Sequence, residues 1–161
     1  MSVGNVAVIE RFYTAFAERD HASMAACLHD DIHFADPVFP DLRGSRVAAM
    51  WHMLCDQGTD LTLTFSDVAA DADAGTAHWE PRYTFGPTGR AVHNRIDASF
   101  RFSDGAIIGH VDAFDLWAWS RMALGFTGTA LGWSPIVRNQ VRSTAVRSLD
   151  RFVGDHPQYA T

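Results

Sequence analysis

The hydrophobic pattern of this chain changes from a helical repeat to a strand repeat near residue 60. Over most of residues 5–57, apolar residues recur at three- and four-residue spacing, which is typical of amphipathic helices. From Leu61 to Phe114 they recur at every second position and polar turns separate the runs, which indicates half-buried strands. Helices followed by an antiparallel meander predict an α+β fold rather than alternating βαβ units.

Three helices and one short strand are predicted before residue 60. We expect helices at Asn5–Arg19, His21–His29 and Arg46–Gln57, and we expect Ser45 to cap the third. The strand is expected at Asp31–Asp36, because the proline-containing loop that follows it cannot continue a ladder of hydrogen bonds.

Strands dominate the middle of the chain, and helices are expected after it. The predicted strands are residues 61–66, 76–85, 90–102 and the run after the turn at 103–105. Pro81 has no N–H, so we expect a bulge or a sheet edge there. A last helix is expected to begin at Ser134 and Pro135. Its many arginines indicate a face exposed to solvent rather than a face that binds a membrane surface.

The composition predicts one soluble domain located in the cytoplasm. The chain has 161 residues, of which 47% are hydrophobic, which is enough for a domain with its own core. A net charge of -6 argues against nucleic-acid binding, and no apolar run or signal peptide suggests a membrane or secretion. Cys27 and Cys55 have no CxxC or His-spaced partner, so we interpret them as reduced core thiols within helices.

Strand alternation places an imidazole and a carboxylate on one apolar face. His110, Asp112 and Phe114 share a face of the strand that follows residue 105. A buried carboxylate is costly unless it is paired, hydrogen-bonded or protonated. Asp112 is therefore either a structural acid satisfied by a neighbour or part of a functional site.

Three more polar residues lie on predicted apolar faces. Asp36 shares a strand face with Ile32 and Phe34, and Asn94 is the single amide on the inward face of the long strand. Tyr13 is the one polar tip on the apolar stripe of the first helix, where the alternative is a tyrosine at the core edge. Together with Asp112, these residues are candidates for one site.

Several motif classes are absent from the sequence. It has no GxGxxG after a strand and no GxxxxGK[ST], so nucleotide phosphate binding is unsupported, and it has no GxSxG elbow. The eight histidines form no HExxH and no tight His/Cys cluster. His110 and Asp112 are two ligands, too few for a metal centre. We therefore predict no cofactor and no metal.

Three strings, in this order and spacing, resemble a known group of proteins. They are ERFYTAFAERD in the first helix, HDDIHFADPVFPDLRG after the second, and IDASFRFSDGAIIGHVDAFDLW in the last hairpin. Over roughly residues 5–120 the chain resembles the nuclear transport factor 2-like superfamily. Within it, the resemblance is to the branch of SnoaL-like polyketide cyclases, ketosteroid isomerases and limonene epoxide hydrolases.

The resemblance implies a cone-shaped α+β barrel whose curved sheet wraps the N-terminal helices and holds an apolar ligand. Asp36 matches the general base of the isomerases, and Asp112 matches a catalytic acid of the epoxide hydrolases and cyclases. The relatives also imply a homodimer. We assign residues 1–120 to the cone domain and residues 121–161 to a C-terminal helical extension of the same domain.

Other positions depart from those relatives. Phe12 stands where the isomerases have the tyrosine of the oxyanion hole, with Tyr13 one residue later, and Ala98 stands where they have a protonated aspartate. Pro81 and Tyr83 stand where the epoxide hydrolases have an arginine and an aspartate. The resemblance therefore indicates a fold more specifically than it indicates a reaction.

Our first hypothesis is an enzyme for acid–base isomerisation, cyclisation or hydration of a hydrophobic polyketide-, steroid- or terpenoid-like compound. Two carboxylates close together cannot both ionise easily, so one pKa is expected to rise, and the pair can then act as acid and base. The predicted catalytic residues are Asp36, Asp112, His110, Asn94 and Tyr13. The predicted ligand pocket is lined by Phe16, Phe34, Trp51, Trp79, Tyr83, Ile96 and Phe114.

Two other hypotheses stay open. The same cavity could belong to a carrier that binds an apolar ligand without changing it. Alternatively, the chain is a dimeric interaction module whose contacts are made by the polar outer face of the sheet, namely His93, Arg95, Asp97 and Arg101. The predicted partners are a hydrophobic small molecule and a second copy of the chain, with neither nucleic acid nor a membrane.

Overall fold

The computed structural model describes residues 1–160, which contain six α-helices and seven strands. The helices are α1 (Val3–Ala17), α2 (His21–Ala25), α3 (Ser45–Gln57), α4 (Leu116–Leu124), α5 (Phe126–Leu131) and α6 (Pro135–Asp155). The strands are β1 (Leu28–Ala35), β2 (Leu42–Arg43), β3 (Thr62–Ala70), β4 (Ala74–Phe85), β5 (Arg90–His93), β6 (Ile96–Ser103) and β7 (Ala106–Ala113). A short 3-10 helix, Pro157–Tyr159, follows α6.

The strands form one open, curved sheet in which an early strand and the last strand lie side by side. The order is β2-β1-β7-β6-β4-β3, and β5 pairs with β4. β1 and β7 pair in parallel, whereas the other pairs in the described chain are antiparallel. α1 packs against β3, β4 and β7, and α3 packs against β1 and β2. The predicted α+β cone with an extra C-terminal helix is confirmed.

The turn between β6 and β7 sets the register of the last hairpin. Asp104 and Gly105 have φ angles of 53° and 76°. Positive φ at both central residues is the geometry of a type I′ turn, whose twist matches that of the flanking strands. With one bulge farther along the hairpin, this turn places Ala98 directly opposite Asp112.

The second helix is shorter than predicted, and the first strand begins earlier. α2 ends at Ala25 and β1 begins at Leu28, so Cys27 lies in a turn rather than in a helix. The reason is tertiary pairing, because Leu28 is aligned with Ile107 of β7 and the Ile107 N–H donates to the Cys27 carbonyl at 2.9 Å. Cys27 and Cys55 are both free and buried, as expected of core thiols.

The capping residue predicted for the third helix was wrong. The residue before α3 is Gly44, with φ of 59°, and Ser45 is already inside the first turn. The Ser45 hydroxyl instead donates to the Tyr159 carbonyl at 3.1 Å, so it ties α3 to the end of the chain. The Ser45 hydroxyl therefore makes this distant hydrogen bond instead of capping the helix.

Pro81 interrupts a ladder, and the predictions of a bulge or a sheet edge there were wrong. β4 is an interior strand, and its register is the same before and after Pro81, since Trp79 pairs with Ile96 and Arg82 pairs with His93. The Asn94 N–H donates to the Pro81 carbonyl at 3.1 Å, but proline has no N–H to return. The single strand predicted over residues 90–102 is therefore split into β5 and β6.

Trp51 is at the centre of an aromatic core between the helices and the sheet. Its ring lies 5.2 Å, centroid to centroid, from Phe12 and from Phe16, and 5.4 Å from Phe34. The same indole stacks on His110 at 5.7 Å. Such a density of edge and stacked aromatic contacts rigidifies the core that surrounds the candidate acids.

The last helix begins where the sequence predicts. Ser134 is the N-cap of α6, and its hydroxyl oxygen accepts a hydrogen bond from the Ile136 N–H at 3.1 Å, with Pro135 in the first turn. α6 is long but strongly basic, and within residues 1–160 no helix combines the length and the apolar character needed to cross a membrane.

Ser134→Ala is expected to lower the free energy of unfolding by about 1 kcal/mol, because a first-turn N–H of α6 loses its acceptor. Urea denaturation followed by circular dichroism measures the change. Ser143→Ala, at an exposed position in the middle of the same helix, is the matched control and should stay within about 0.5 kcal/mol of the wild type. Equal losses in the two variants would contradict an effect of the cap.

Candidate active site

The parallel pairing of β1 and β7 brings two acids together. Phe34 is aligned with His110, and Ala35 is aligned with Val111. Asp36 follows directly after β1, so the same register places it beside Asp112 on the neighbouring strand. The charge of Asp112 acts on the pKa of Asp36. Three of the predicted site residues are therefore neighbours.

Asp112 is paired deep inside the protein. His110 and Asp112 are 1% and 3% exposed, and His110 Nε2 lies 2.8 Å from Asp112 Oδ1. The Trp79 indole N–H donates to the same oxygen at 3.3 Å. When Nε2–H donates to the carboxylate, Nδ1 of the neutral ring carries a lone pair that can accept a proton. The pair can thus hold a proton or pass it on.

Asp36 lies in the turn that leaves β1 and has an unusual proton affinity. Its Oδ1 accepts hydrogen bonds from the N–H groups of Val38 and Phe39, at 2.7 and 2.5 Å. Burial, with a smaller contribution from the charge of Asp112, raises the pKa of Asp36 to about 6 despite the lowering effect of these bonds. A carboxyl group with such a pKa exchanges protons near neutral pH.

Asp36→Asn is expected to flatten the dependence of stability on pH between about pH 4 and pH 6. The pKa of Asp36 rises from 3.8 to about 6 on folding, so the folded state binds the proton more tightly. The resulting stabilisation is complete below about pH 4 and is lost as the pH rises through 6. Two pKa units correspond to about 3 kcal/mol as an upper bound.

The measurement is the free energy of unfolding by urea at a series of pH values. Asp31→Asn removes an exposed carboxylate from the same strand and is the control. If the wild type and Asp36→Asn lose stability in parallel as the pH rises from 4 to 6, the titration belongs to another group.

Tyr13 brings an unpaired hydroxyl to the same core. Its side chain is fully buried, and within residues 1–160 its hydroxyl oxygen has no hydrogen-bond partner. Burial raises the pKa of Tyr13, and the charge of Asp112 contributes to the rise. His110 Nδ1 is likewise unpaired within the described chain. Buried polar groups without partners are uncommon, and these two can serve a ligand or a reacting atom.

Asn94 is not brought to the acids. It is buried at the interruption between β5 and β6, where its side-chain oxygen accepts from the Arg95 N–H at 3.1 Å. The bond is local and satisfies the side-chain oxygen of Asn94.

The predicted pocket residues fall into two groups. Five of them are buried in the aromatic core and pack closely, namely Phe16, Phe34, Trp51, Trp79 and Ile96. Tyr83 and Phe114 are partly buried at a second cluster, where the Trp119 indole N–H donates to the Tyr83 hydroxyl at 2.8 Å. Phe114 contacts both clusters and therefore links the core to the C-terminal helices.

A surface cavity of about 400 Å³ lies beside the acid site, and Phe114 is the one predicted pocket residue among those that line it. It extends from Pro37 and Phe114 to the C-terminal helices. The other lining residues are Asp115, Leu116, Trp117, Gly132, Trp133, Arg138 and Arg142. Pro37 follows Asp36 directly, so the cavity is adjacent to the acid with the raised pKa.

The basic face of α6 is not wholly solvated, contrary to our expectation. The Arg142 side chain donates from Nε to the Pro37 carbonyl at 2.8 Å and so joins α6 to the loop after Asp36. Arg138 lies one helical turn before it and lines the same cavity. The four-residue spacing of these arginines was the available sequence signal, but nothing in the pattern indicated their partner.

Comparison with known proteins identifies the fold. The model of a family described as SnoaL-like domain matches residues 9–110. An LEH-like epoxide hydrolase from M. tuberculosis has a TM-score of 0.62 at 23% identity, covering 84% of this chain and 96% of that one. No curated protein sequence matches the chain.

Two further solved structures share the architecture. An NTF2-like protein of unknown function from Burkholderia pseudomallei K96243 has a TM-score of 0.65 at 19% identity, covering 76% of this chain and 98% of that one. A candidate SnoaL-like polyketide cyclase from Jannaschia sp. CCS1 has a TM-score of 0.67 at 15% identity, covering 76% and 92%. These matches bear out the resemblance drawn from the sequence, at the level of the fold.

Proposed function

The chain belongs to the SnoaL-like domain family, and from this premise we propose that it is an acid–base enzyme acting on a hydrophobic small molecule. The reaction is an isomerisation, cyclisation or hydration of a polyketide-, steroid- or terpenoid-like compound. The observation that carries the proposal is the pair of neighbouring acids, in which burial raises the pKa of Asp36 to about 6. A carboxyl group whose pKa is raised towards neutrality is suited to proton transfer.

In this proposal Asp36 moves the proton. It is partly buried and its neighbour Pro37 lines the cavity, so a substrate that enters there approaches Asp36 before Asp112. Its pKa near 6 lets it accept a proton from a carbon acid or a water molecule and return it later in the cycle. Such a positioned group typically contributes about 10²–10⁴-fold to the rate.

Asp112 and its partners form the second half of the site. The carboxylate is held by His110 and Trp79, which fix its orientation in the core. The Tyr13 hydroxyl and the His110 ring lie within the same buried region, and each can hydrogen-bond to charge that develops on the substrate.

We propose that the 400 Å³ cavity is the entrance for the substrate. Trp117 and Trp133 offer aromatic surface, and Arg138 and Arg142 offer positive charge. The cavity therefore suits a compound with an apolar body and an electron-rich or anionic group.

The test is turnover of a panel of enones, polyketide precursors and epoxides, followed by mass spectrometry of the products. We expect wild type to convert at least one member, and Asp36→Asn to convert it about 10²–10⁴-fold more slowly. Asp31→Asn, which removes an exposed acid from β1, should match the wild type. Undiminished turnover by Asp36→Asn would exclude this acid from the mechanism.

A second candidate is a carrier that binds an apolar ligand without chemistry. This function is favoured because Asp112 is already hydrogen-bonded by His110 and Trp79 within a closely packed aromatic core. Native mass spectrometry of the purified protein distinguishes the two functions. A ligand recovered unchanged after long incubation supports the carrier, whereas a conversion product supports the enzyme.

We also propose that the protein is a homodimer located in the cytoplasm. Val111 is 50% exposed on the outer sheet face, where His78 and His93 pair with Glu80 at 2.9 and 2.7 Å. An exposed apolar residue on the same face as these polar pairs suits an interface between copies. The two free thiols support the location. Sedimentation as a monomer at micromolar concentration would contradict the dimer.

A further inference from the structure

Two imidazoles and a carboxylate meet where the end of α6 packs on α3. His52 and Asp56 lie one turn apart on α3, and His156 directly follows the last residue of α6. One ligand-type atom from each lies within 4.8 Å of the other two. His52 Nε2 is 3.6 Å from Asp56 Oδ2. The cluster shares no residue with the candidate active site.

The second nitrogen of each imidazole is already held by an oxygen. His52 Nδ1 lies 2.9 Å from the Tyr159 hydroxyl, and His156 Nδ1 donates to the Phe152 carbonyl at 2.8 Å. With the proton on Nδ1, the lone pair of each ring is on Nε2. Metal-binding histidines use this arrangement, because the oxygen partner fixes both the tautomer and the ring orientation.

Stacking holds both rings in place. The His21 ring lies face to face with His52 at 3.4 Å between centroids, and Phe152 stacks on His156 at 3.8 Å. His52 is 8% exposed, whereas Asp56 is exposed, so the cluster has a fixed inner ligand and an open outer side. Ligands fixed in this way lose little conformational freedom on binding.

We propose that His52, Asp56 and His156 bind one divalent transition-metal ion, of which Zn²⁺ is the best match. Two imidazole nitrogens and one carboxylate oxygen are a donor set for zinc, and solvent completes the coordination on the open side. In tetrahedral zinc with bonds near 2.0–2.1 Å, neighbouring ligand atoms are about 3.3 Å apart. The 3.6 Å between His52 and Asp56 is close to this spacing.

The ion clamps the C-terminal end of α6 to α3. The other half of α6 carries Arg138 and Arg142, which line the cavity beside the acid site. Metal binding to the folded chain therefore stabilises the helix that forms one wall of that cavity. This cluster could not be predicted from ligand spacing, because His156 lies far along the chain from the other two ligands.

Isothermal titration with Zn²⁺ tests the proposal, using EDTA-treated, tag-free full-length protein. We expect one ion per chain, and a melting temperature raised by about 5–10 °C at a free Zn²⁺ concentration 100-fold above Kd. Asp56→Asn and His156→Gln should each weaken binding by at least about 10-fold, because even the loss of an outer-shell partner of a ligand costs about 10–100-fold. Co²⁺ should give a visible absorption band in the wild type that both variants lose.

His29→Gln and Asp155→Asn are the controls, since both residues are ligand types outside the cluster. They should bind Zn²⁺ as tightly as the wild type. Circular dichroism of each metal-free variant checks that it folds, and Asp56 is exposed, so its replacement should be tolerated. Absence of stoichiometric binding by the wild type, or binding unchanged in both cluster variants, would overturn the proposal.

Discussion

Asp112→Asn is expected to lower kcat by about 10²–10⁴-fold on whichever compound of the panel the wild type converts. The amide keeps the size of the side chain but removes the negative charge that holds His110 at 2.8 Å. It also removes a proton-accepting group from the core beside Tyr13 and Asp36. Steady-state kinetics across pH 5–8 measure the effect on kcat and on the pH profile.

The control for Asp112→Asn is Asp104→Asn in the turn of the same hairpin. Asp104 has φ of 53°, a conformation that asparagine adopts readily, and its side chain is exposed. This control should keep wild-type turnover. Because two acids that act as a unit are not additive, the double variant of Asp36 and Asp112 should be little slower than the worse single variant. A fully multiplicative loss would mean that the acids act independently.

Trp51→Ala is expected to lower the free energy of unfolding by about 3–5 kcal/mol. The indole is 2% exposed and contacts Phe12, Phe16, Phe34 and His110, so its loss leaves a large cavity at the centre of the core. Urea denaturation measured by both fluorescence and circular dichroism gives the change.

Two variants sharpen the test of Trp51. Within the described chain its indole N–H has no hydrogen-bond partner, so Trp51→Phe loses volume but no hydrogen bond and should cost clearly less than the alanine variant. Trp133→Ala, at a side chain that is 64% exposed, should change stability by less than about 0.5 kcal/mol. A similar cost for the alanine variants of Trp51 and Trp133 would contradict a packed core around Trp51.

Strand parity was the most informative signal in the sequence. A period of two admits only two faces, so the inward direction of His110 and Asp112 follows once the neighbours of the strand are apolar. Asp36 could be placed the same way from Ile32 and Phe34. Strand parity does not tell which strands pair with each other. Asp36 and Asp112 are adjacent because β1 and β7, which are distant in sequence, pair in parallel.

The features that sequence reasoning missed all depend on distant contacts. Leu28 was predicted to be helical but lies in a strand, because it pairs with β7. Ser45 was predicted to cap α3 but instead hydrogen-bonds to the Tyr159 carbonyl. Arg142 was predicted to be solvated but donates to the Pro37 carbonyl, which is also distant in sequence. In each case a local preference worth about 1 kcal/mol or less is overridden by tertiary structure.

The pairing of β1 with β7 determines when the two candidate acids can come together during synthesis of the chain. During synthesis β1 leaves the ribosome early, but its parallel neighbour emerges only after β6 and the hairpin turn. Until then β1 carries an unpaired edge, and closing so long a loop is entropically slow. The two acids therefore come together only after β7 has been synthesised. Nascent chains that end before β7 would expose the unpaired edge of β1. Such an edge favours aggregation and therefore binding by chaperones.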